Sequence, residues 1–194
     1  LDDADLPNQT IYLHQPVPPV LVTNDVDATL FADGHGVLHA FWYREDRLWH
    51  AWNDNGTWVD AAPITTNAVT DVAVGAGTRL LDGNAPGLIA VWSESSTNGL
   101  DLFYSVGQTN GSGYRWSLPV QLTRDLVANV SPAVIVRDDG LALIAYLKRS
   151  LEIDDDTDVY YAAVNVASGE LVWNLPAPRS ALAKVDLGGK RTFK

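Results

Sequence analysis

Stretches of alternating apolar residues end three times on a tryptophan, at Trp58, Trp116 and Trp173, and a proline follows each within a few residues (Pro63, Pro119, Pro176). The spacing is nearly equal, at about 58 residues, so the pattern is an internal repeat. Ahead of each tryptophan lies a paired strand pattern with a small residue at its centre. All-strand repeats somewhat longer than about 40 to 50 residues predict a β-propeller, in which each repeat is one four-stranded antiparallel blade.

The strands within a repeat can be aligned. Second strands are expected at Leu38-His39-Ala40-Phe41-Trp42, Leu88-Ile89-Ala90-Val91-Trp92 and Leu143-Ile144-Ala145-Tyr146-Leu147, with Ala40, Ala90 and Ala145 in one register. Each is apolar on both faces, as a strand sandwiched between neighbouring blades must be. Each follows a Gly/Asp-rich turn that supplies the positive φ of a tight hairpin, as at Asp33-Gly34-His35-Gly36. Third strands read Trp49-His50-Ala51, Phe103-Tyr104-Ser105 and Tyr160-Tyr161-Ala162, two aromatic-type rings and then a small residue. First strands, at 28–32, 72–74 and 133–136, carry the small and β-branched residues that suit a narrow channel wall. The outermost strand is least regular, but Pro119-Val120-Gln121-Leu122-Thr123 echoes Pro19-Val20-Leu21-Val22-Thr23.

That echo makes 1–23 the end of a preceding blade and 178–194 the start of a following blade or a tail. Three whole blades are expected between them, at 24–66, 67–124 and 125–177. Propellers close with about four to eight blades, so three whole blades plus partial flanking ones form an incomplete ring with open strand edges. Other chain segments, a partner chain or the terminal pieces would have to complete it. A chain with no methionine, even at its first position, is likewise expected to be part of a longer polypeptide.

The turn after the third strand of the first blade reads Ala51-Trp52-Asn53-Asp54-Asn55-Gly56-Thr57-Trp58. It resembles, in degenerate form, the Asp-box S-x-D-x-G-x-T-W of sialidase-like (BNR-repeat) propellers. Thr57 and Trp58 match; Asn53 stands for the aspartate and Asn55 for the glycine, a turn position that asparagine tolerates. The blade ending Trp116-Ser117-Leu118-Pro119-Val120-Gln121-Leu122-Thr123 adds to the resemblance. Asp-boxes pin a rim hairpin, so the resemblance implies a structural turn at Asn53, Asn55, Thr57 and Trp58 and a fold more than an activity.

Charge narrows the partners. Net charge is −11, and the one basic cluster, Lys148-Arg149, sits near an acidic run, which argues against nucleic acid. No apolar run is long enough to span a bilayer as a helix, and the acidity disfavours anionic membrane surfaces. There is no cysteine, hence neither a disulfide nor a thiolate metal site. Arginine outnumbers lysine, and Asn, Thr, Gly and Trp are frequent, a composition expected of a bacterial extracellular or cell-surface protein.

Candidate chemistry is sparse. A sialidase-like enzyme needs an arginine triad, a tyrosine–glutamate nucleophile and an aspartate; the family's early F-R-I-P motif is absent, and no catalytic residue is assigned. Trp52 and Tyr114 are the candidate ligand platforms, because sugar rings and protein partners favour flat aromatic faces. Asp154, Asp155, Asp156 and Asp158 could gather oxygen ligands for Ca²⁺, though without EF-hand spacing, and a solvated hairpin loop is the plainer reading. No other cofactor is implied. His35, His39 and His50 invite a zinc reading, but His39 takes the register of Ile89 and Ile144 and His50 that of Tyr104 and Tyr161. Both are therefore expected as packing residues. The function expected is a non-catalytic scaffold of a larger secreted or cell-surface protein that binds glycan or protein. The alternatives are a part of a sialidase-like glycoside hydrolase, or a structural protein whose partial rings assemble edge to edge.

Overall fold

The computed structural model describes residues 28–33, 36–54, 56–59, 63–77, 87–97, 99–109, 113–124, 126–149 and 157–175. The flanking segments 1–23 and 178–194 lie outside them. Among the described residues thirteen strands form three sheets. In the first blade β1 (Thr29–Ala32), β2 (Leu38–Arg44), β3 (Arg47–Asp54) and β4 (Thr57–Val59) pair in chain order. The second runs β5 (Val69–Ala76), β6 (Leu88–Ser96), β7 (Gly99–Thr109) and β8 (Tyr114–Trp116), and β9 (Val120–Gln121) also pairs with β7. The third runs β10 (Ala128–Val136), β11 (Leu141–Arg149), β12 (Thr157–Asn165) and β13 (Leu171–Leu175). Every pairing is antiparallel, and the described sheets do not close into a ring.

The blades stack face to face, and side-chain alternation explains why their central strands are apolar throughout. On β6, Leu88, Ala90 and Trp92 turn toward the first blade and join Phe41 and Leu48 in one core cluster. Ile89 and Val91 turn the other way and join Ile144, Tyr146 and Val164 of the third blade in a second cluster. Each blade thus has a leading face, toward its predecessor, and a trailing face, toward its successor. Gly75 lies where the third blade comes close: a Cβ there would stand 3.3 Å from both Val134 and Val136.

The repeat holds at the level of single hydrogen bonds. Ile64 N–H donates to Leu48 O at 2.7 Å, and Leu122 N–H to Leu102 O at 2.7 Å. The next residue in each case, Thr65 or Thr123, accepts the N–H of that same Leu48 or Leu102 through Oγ1, at 3.1 and 2.9 Å. The crossover leaving a blade is therefore clamped to its third strand in the same way twice. Bulges repeat too: β5 and β10 each slip register once, at Asp71 (φ 46°) and Ser131 (φ 52°). Asp71 Oδ2 accepts the Ser131 N–H at 3.3 Å, linking one bulge to the next.

One expected register is displaced. The pairs Ala40–Ala51, Ala90–Ser105 and Ile144–Ala162 are equivalent, so the third-strand alignment holds, but Ile144 rather than Ala145 stands with Ala40 and Ala90. Because strand side chains alternate, that single step moves Ala145 to the trailing face, where it is exposed.

Candidate functional site

Between the first two blades a row of polar side chains is buried among aromatic rings. Asp33 follows β1, His39 opens β2, His50 sits mid-β3, and Tyr114 and Trp116 reach across from β8. His39 and His50 are essentially inaccessible and Asp33 nearly so. Trp116 Nε1 lies 3.1 Å from His50 Nδ1, and His50 Nε2 lies 2.9 Å from His39 Nδ1. His39 Nε2 faces Asp33 Oδ2 at a long 3.4 Å. The same oxygen accepts the Tyr114 hydroxyl at 3.1 Å, while Oδ1 accepts the Val37 N–H at 3.0 Å. The rings also stack, with His39 and His50 centroids 5.2 Å apart and Tyr114 edge-on to both.

This chain of bonds fixes every proton in it. An indole N–H can only donate, so His50 Nδ1 must accept, and the proton of neutral His50 sits on Nε2. That proton is donated to His39 Nδ1, which places the His39 proton on Nε2, facing Asp33. Charging either imidazole would set two N–H groups against each other. Burial works in the same direction: it pushes His50 down to about 3, helped by repulsion from His39. His39 is also lowered by burial, against the opposing pull of the hydrogen bond and charge of Asp33. Burial, then the Asp33 charge and hydrogen bond, raise Tyr114, so its phenol stays a donor. A long-range proton–nitrogen correlation spectrum at neutral pH is expected to show both histidines protonated at Nε2 and bare at Nδ1. In Trp116→Phe the donor is gone, and His50 should sample both tautomers; an unchanged His50 pattern would show that the indole does not set it.

Both histidines are buried among rings, as expected of packing residues, and they carry a hydrogen-bond chain besides. His39 is equivalent in register to Ile89 and Leu143, and His50 to Tyr104 and Tyr161, all on the trailing face; Ile89 and Tyr104 are buried as the histidines are, but the histidines are polar links as well as packing groups. Sequence reasoning missed Asp33 and Trp116; the signal available was the pair His39 and His50 on adjacent strands, in registers that hold Ile89 and Leu143 and Tyr104 and Tyr161 in the other blades.

The structure brings the two candidate platforms together. Trp52 of β3 and Tyr114 of β8, both half-buried, meet across the blade interface with ring centroids 5.4 Å apart, and Trp52 stacks on His50 at 5.8 Å. They lie toward the end of the blades where β1 turns into β2 and β3 into β4. The β3–β4 turn is tight: Asp54 pairs with Thr57 and Asn53 with Trp58. Asn53 Oδ1 accepts the Gly56 N–H at 2.9 Å, and Gly56 has φ 88°. Asn55 lies outside the described residues, as do Asp154, Asp155, Asp156 and His35. Asp158 lies in β12 opposite Lys148, not in a loop. No group of three or more potential metal ligands occurs among the described residues.

No family model and no curated protein matches the chain. Among solved structures it is similar to the leech intramolecular trans-sialidase complexed with 2,7-anhydro-Neu5Ac, at 17% identity and a TM-score of 0.50, over 74% of this chain and 24% of that one. The fold is a β-propeller. An α-L-arabinofuranosidase from Podospora anserina, in complex with cellotriose, aligns at 12% identity and a TM-score of 0.43, over 74% of this chain and 48% of that one. The propeller chain thus spans about a quarter of the trans-sialidase and about half of the arabinofuranosidase. At 17% identity the likeness to the trans-sialidase is one of fold.

Proposed function

We propose that the chain is a non-catalytic β-propeller segment of a larger secreted or cell-surface protein, acting as a scaffold that binds glycan or protein. The observation that carries this reading is the closure of the Asp33–His39–His50–Tyr114–Trp116 network. Acid–base catalysis needs a group that can take or give a proton within reach of a substrate. Here each imidazole nitrogen already has a partner, charging is opposed, and the rings are sealed between blades. The network serves to lock one blade on the next. At its outer end, Trp52 and Tyr114 give the scaffold a half-buried aromatic edge. Such an edge suits the apolar face of a sugar ring or of a partner side chain.

Screening the protein on a glycan array, followed by calorimetric titration of the best ligand, tests this. Trp52→Ala is expected to weaken binding by at least about tenfold, the size of one lost aromatic contact of about 1.4 kcal/mol, with no change in fold. Turnover of any member of a fluorogenic glycoside panel would overturn the non-catalytic reading. Binding indifferent to Trp52 would move the contact elsewhere.

A further inference from the structure

In the buried network between the first two blades, both contributions from the second blade come from one short strand. β8 has three residues, Tyr114–Trp116, and pairs with β7 at Gly107, Gln108 and Thr109. Two of the three reach the first blade, Trp116 through His50 and Tyr114 through Asp33. Just beyond Trp116 the chain is anchored: Ser117 N–H donates to Val106 O at 2.8 Å, and Ser117 Oγ accepts the Val106 N–H at 3.1 Å. β8 is thus built to swing about Ser117 while Leu88, Ala90 and Trp92 of β6 keep the two blades together. Three hydrogen bonds run in line, from Trp116 to His50, from His50 to His39 and from His39 to Asp33, and each of the three gaps holds one proton. A fourth proton on either imidazole puts two donors into one gap, and passing it between the rings only moves the clash.

Neighbouring charge does not absorb that proton. Asp33, at the end of β1, already faces the His39 proton, and Tyr114 is a neutral donor to the same carboxylate. β5, β6 and β7 of the facing blade each carry one carboxylate, and each is bonded elsewhere: Asp71 to Ser131, Glu94 to Asn67 and Trp92, Asp101 to Ser96, Gln121 and Thr123. On β8 itself Arg115 is exposed, and on the first blade Arg44, Arg47 and Asp54 stand at strand ends. We propose that the network is an acid-released latch: a proton added to it swings β8 off the first blade and parts Tyr114 from Trp52, so that acid loosens the aromatic edge. Its use as a control on binding rests on the ligand role proposed for that edge, whereas the opening itself is read without a ligand. Burial holds His50 near 3 while the seam is closed, and an imidazole freed into water returns to about 6.5. Opening therefore takes up a proton and is favoured as pH falls between these values. From about pH 7 to about pH 5 His50 alone multiplies the open population by about 25, and His39, also lowered by burial, acts in the same direction.

Hydrogen exchange of the full chain, read by mass spectrometry and corrected for the intrinsic pH dependence of exchange, tests the latch. The β8 amides are expected to open at least about 25-fold more at pH 5 than at pH 7. That opening should be nearly indifferent to low urea, because one short strand exposes little surface. Global unfolding would instead give β8 and β11 the same acid response and the same steep urea dependence. His39→Ile with His50→Tyr installs the residues that the second blade has at these registers and should leave β8 opening independent of pH. Trp116→Phe gives a second reading should that pair fail to fold by circular dichroism: without the indole donor His50 takes a proton at Nδ1 free of a clash, and the acid response should shrink. A β8 that opens equally at both pH values, or only in step with β11, overturns the latch, as does an acid response that survives these variants. Glycan binding and its loss in Trp52→Ala are read separately, so the latch and the binding role can fail independently.

Discussion

Acidifying the protein from neutral pH to about pH 5 is expected to lower its unfolding free energy by about 2 kcal/mol through His50 alone. The ordinary imidazole value of 6.5 applies to the unfolded chain, whereas in the fold His50 is held near 3. Between those values the unfolded state binds a proton that the folded state refuses, so stability rises with pH across this window. The contribution is fully present above about pH 6.5 and is lost as pH falls toward 3. Each pH unit within the window is worth about 1.4 kcal/mol, and the total by its lower end is about 4 to 5 kcal/mol. His39, lowered for the same primary reason, adds to the slope with the same sign. Urea titrations at about pH 7 and about pH 5 measure the difference through the midpoint at constant m. His50→Phe keeps a ring against Phe41 and Trp116 but removes the titrating group. It is expected to be less stable at neutral pH, because Trp116 and His39 lose their partner, yet to show a shallower pH slope. A wild-type stability that is flat between these pH values would mean that the histidines charge in place, and the tautomer chain would have to be abandoned.

The repeat was legible because its devices are local. Turn residues such as Asn53 and Gly56, tryptophans at constant spacing and two-sided apolar strands are each visible along the chain, and the three sheets follow them. The register of the third blade was not, because Leu143-Ile144-Ala145 and Ala142-Leu143-Ile144 are equally apolar. Only the pairing of Ile144 with Ala162 separates the two. Nor could the polar network be seen in advance. His39 and His50 fall in apolar registers, and the partners that turn them into a proton-ordered chain, Tyr114 and Trp116, lie more than sixty residues further along. Trp52 and Tyr114 were legible singly, as aromatics next to turns. That they form one edge depends on how the first blade packs against the second, which no local pattern specifies.

Asp101→Ala is expected to cost about 3 to 5 kcal/mol through lost hydrogen bonds and stranded buried donors. Asp101 is wholly buried near the start of β7 and gathers donors from four side chains. The Ser96 hydroxyl donates to Oδ2 at 2.6 Å and Gln121 Nε2 to the same oxygen at 3.0 Å. Thr123 donates to Oδ1 at 2.9 Å, and Asn129 Nδ2 lies 3.5 Å from it. Thr123 is also the residue that accepts the Leu102 N–H, so the carboxylate sets the rotor on which the crossover clamp depends. Hydrogen bonds to a charged acceptor are worth about 1.5 to 3 kcal/mol each, and a buried donor left without its partner costs about 1 to 3. Losing two such bonds outright reaches the expected range even if Gln121 recovers water. The clamp joins β7 to the crossover that leads to the third blade, so the damage should concentrate at that seam. Hydrogen exchange at the Leu102 amide is expected to accelerate well before exchange in the first blade. Asp101→Asn keeps one acceptor oxygen and should fall between wild type and alanine in denaturant midpoint. A loss below about 1 kcal/mol for alanine would mean that water replaces the carboxylate at no cost, and the seam would then rest on its apolar contacts alone.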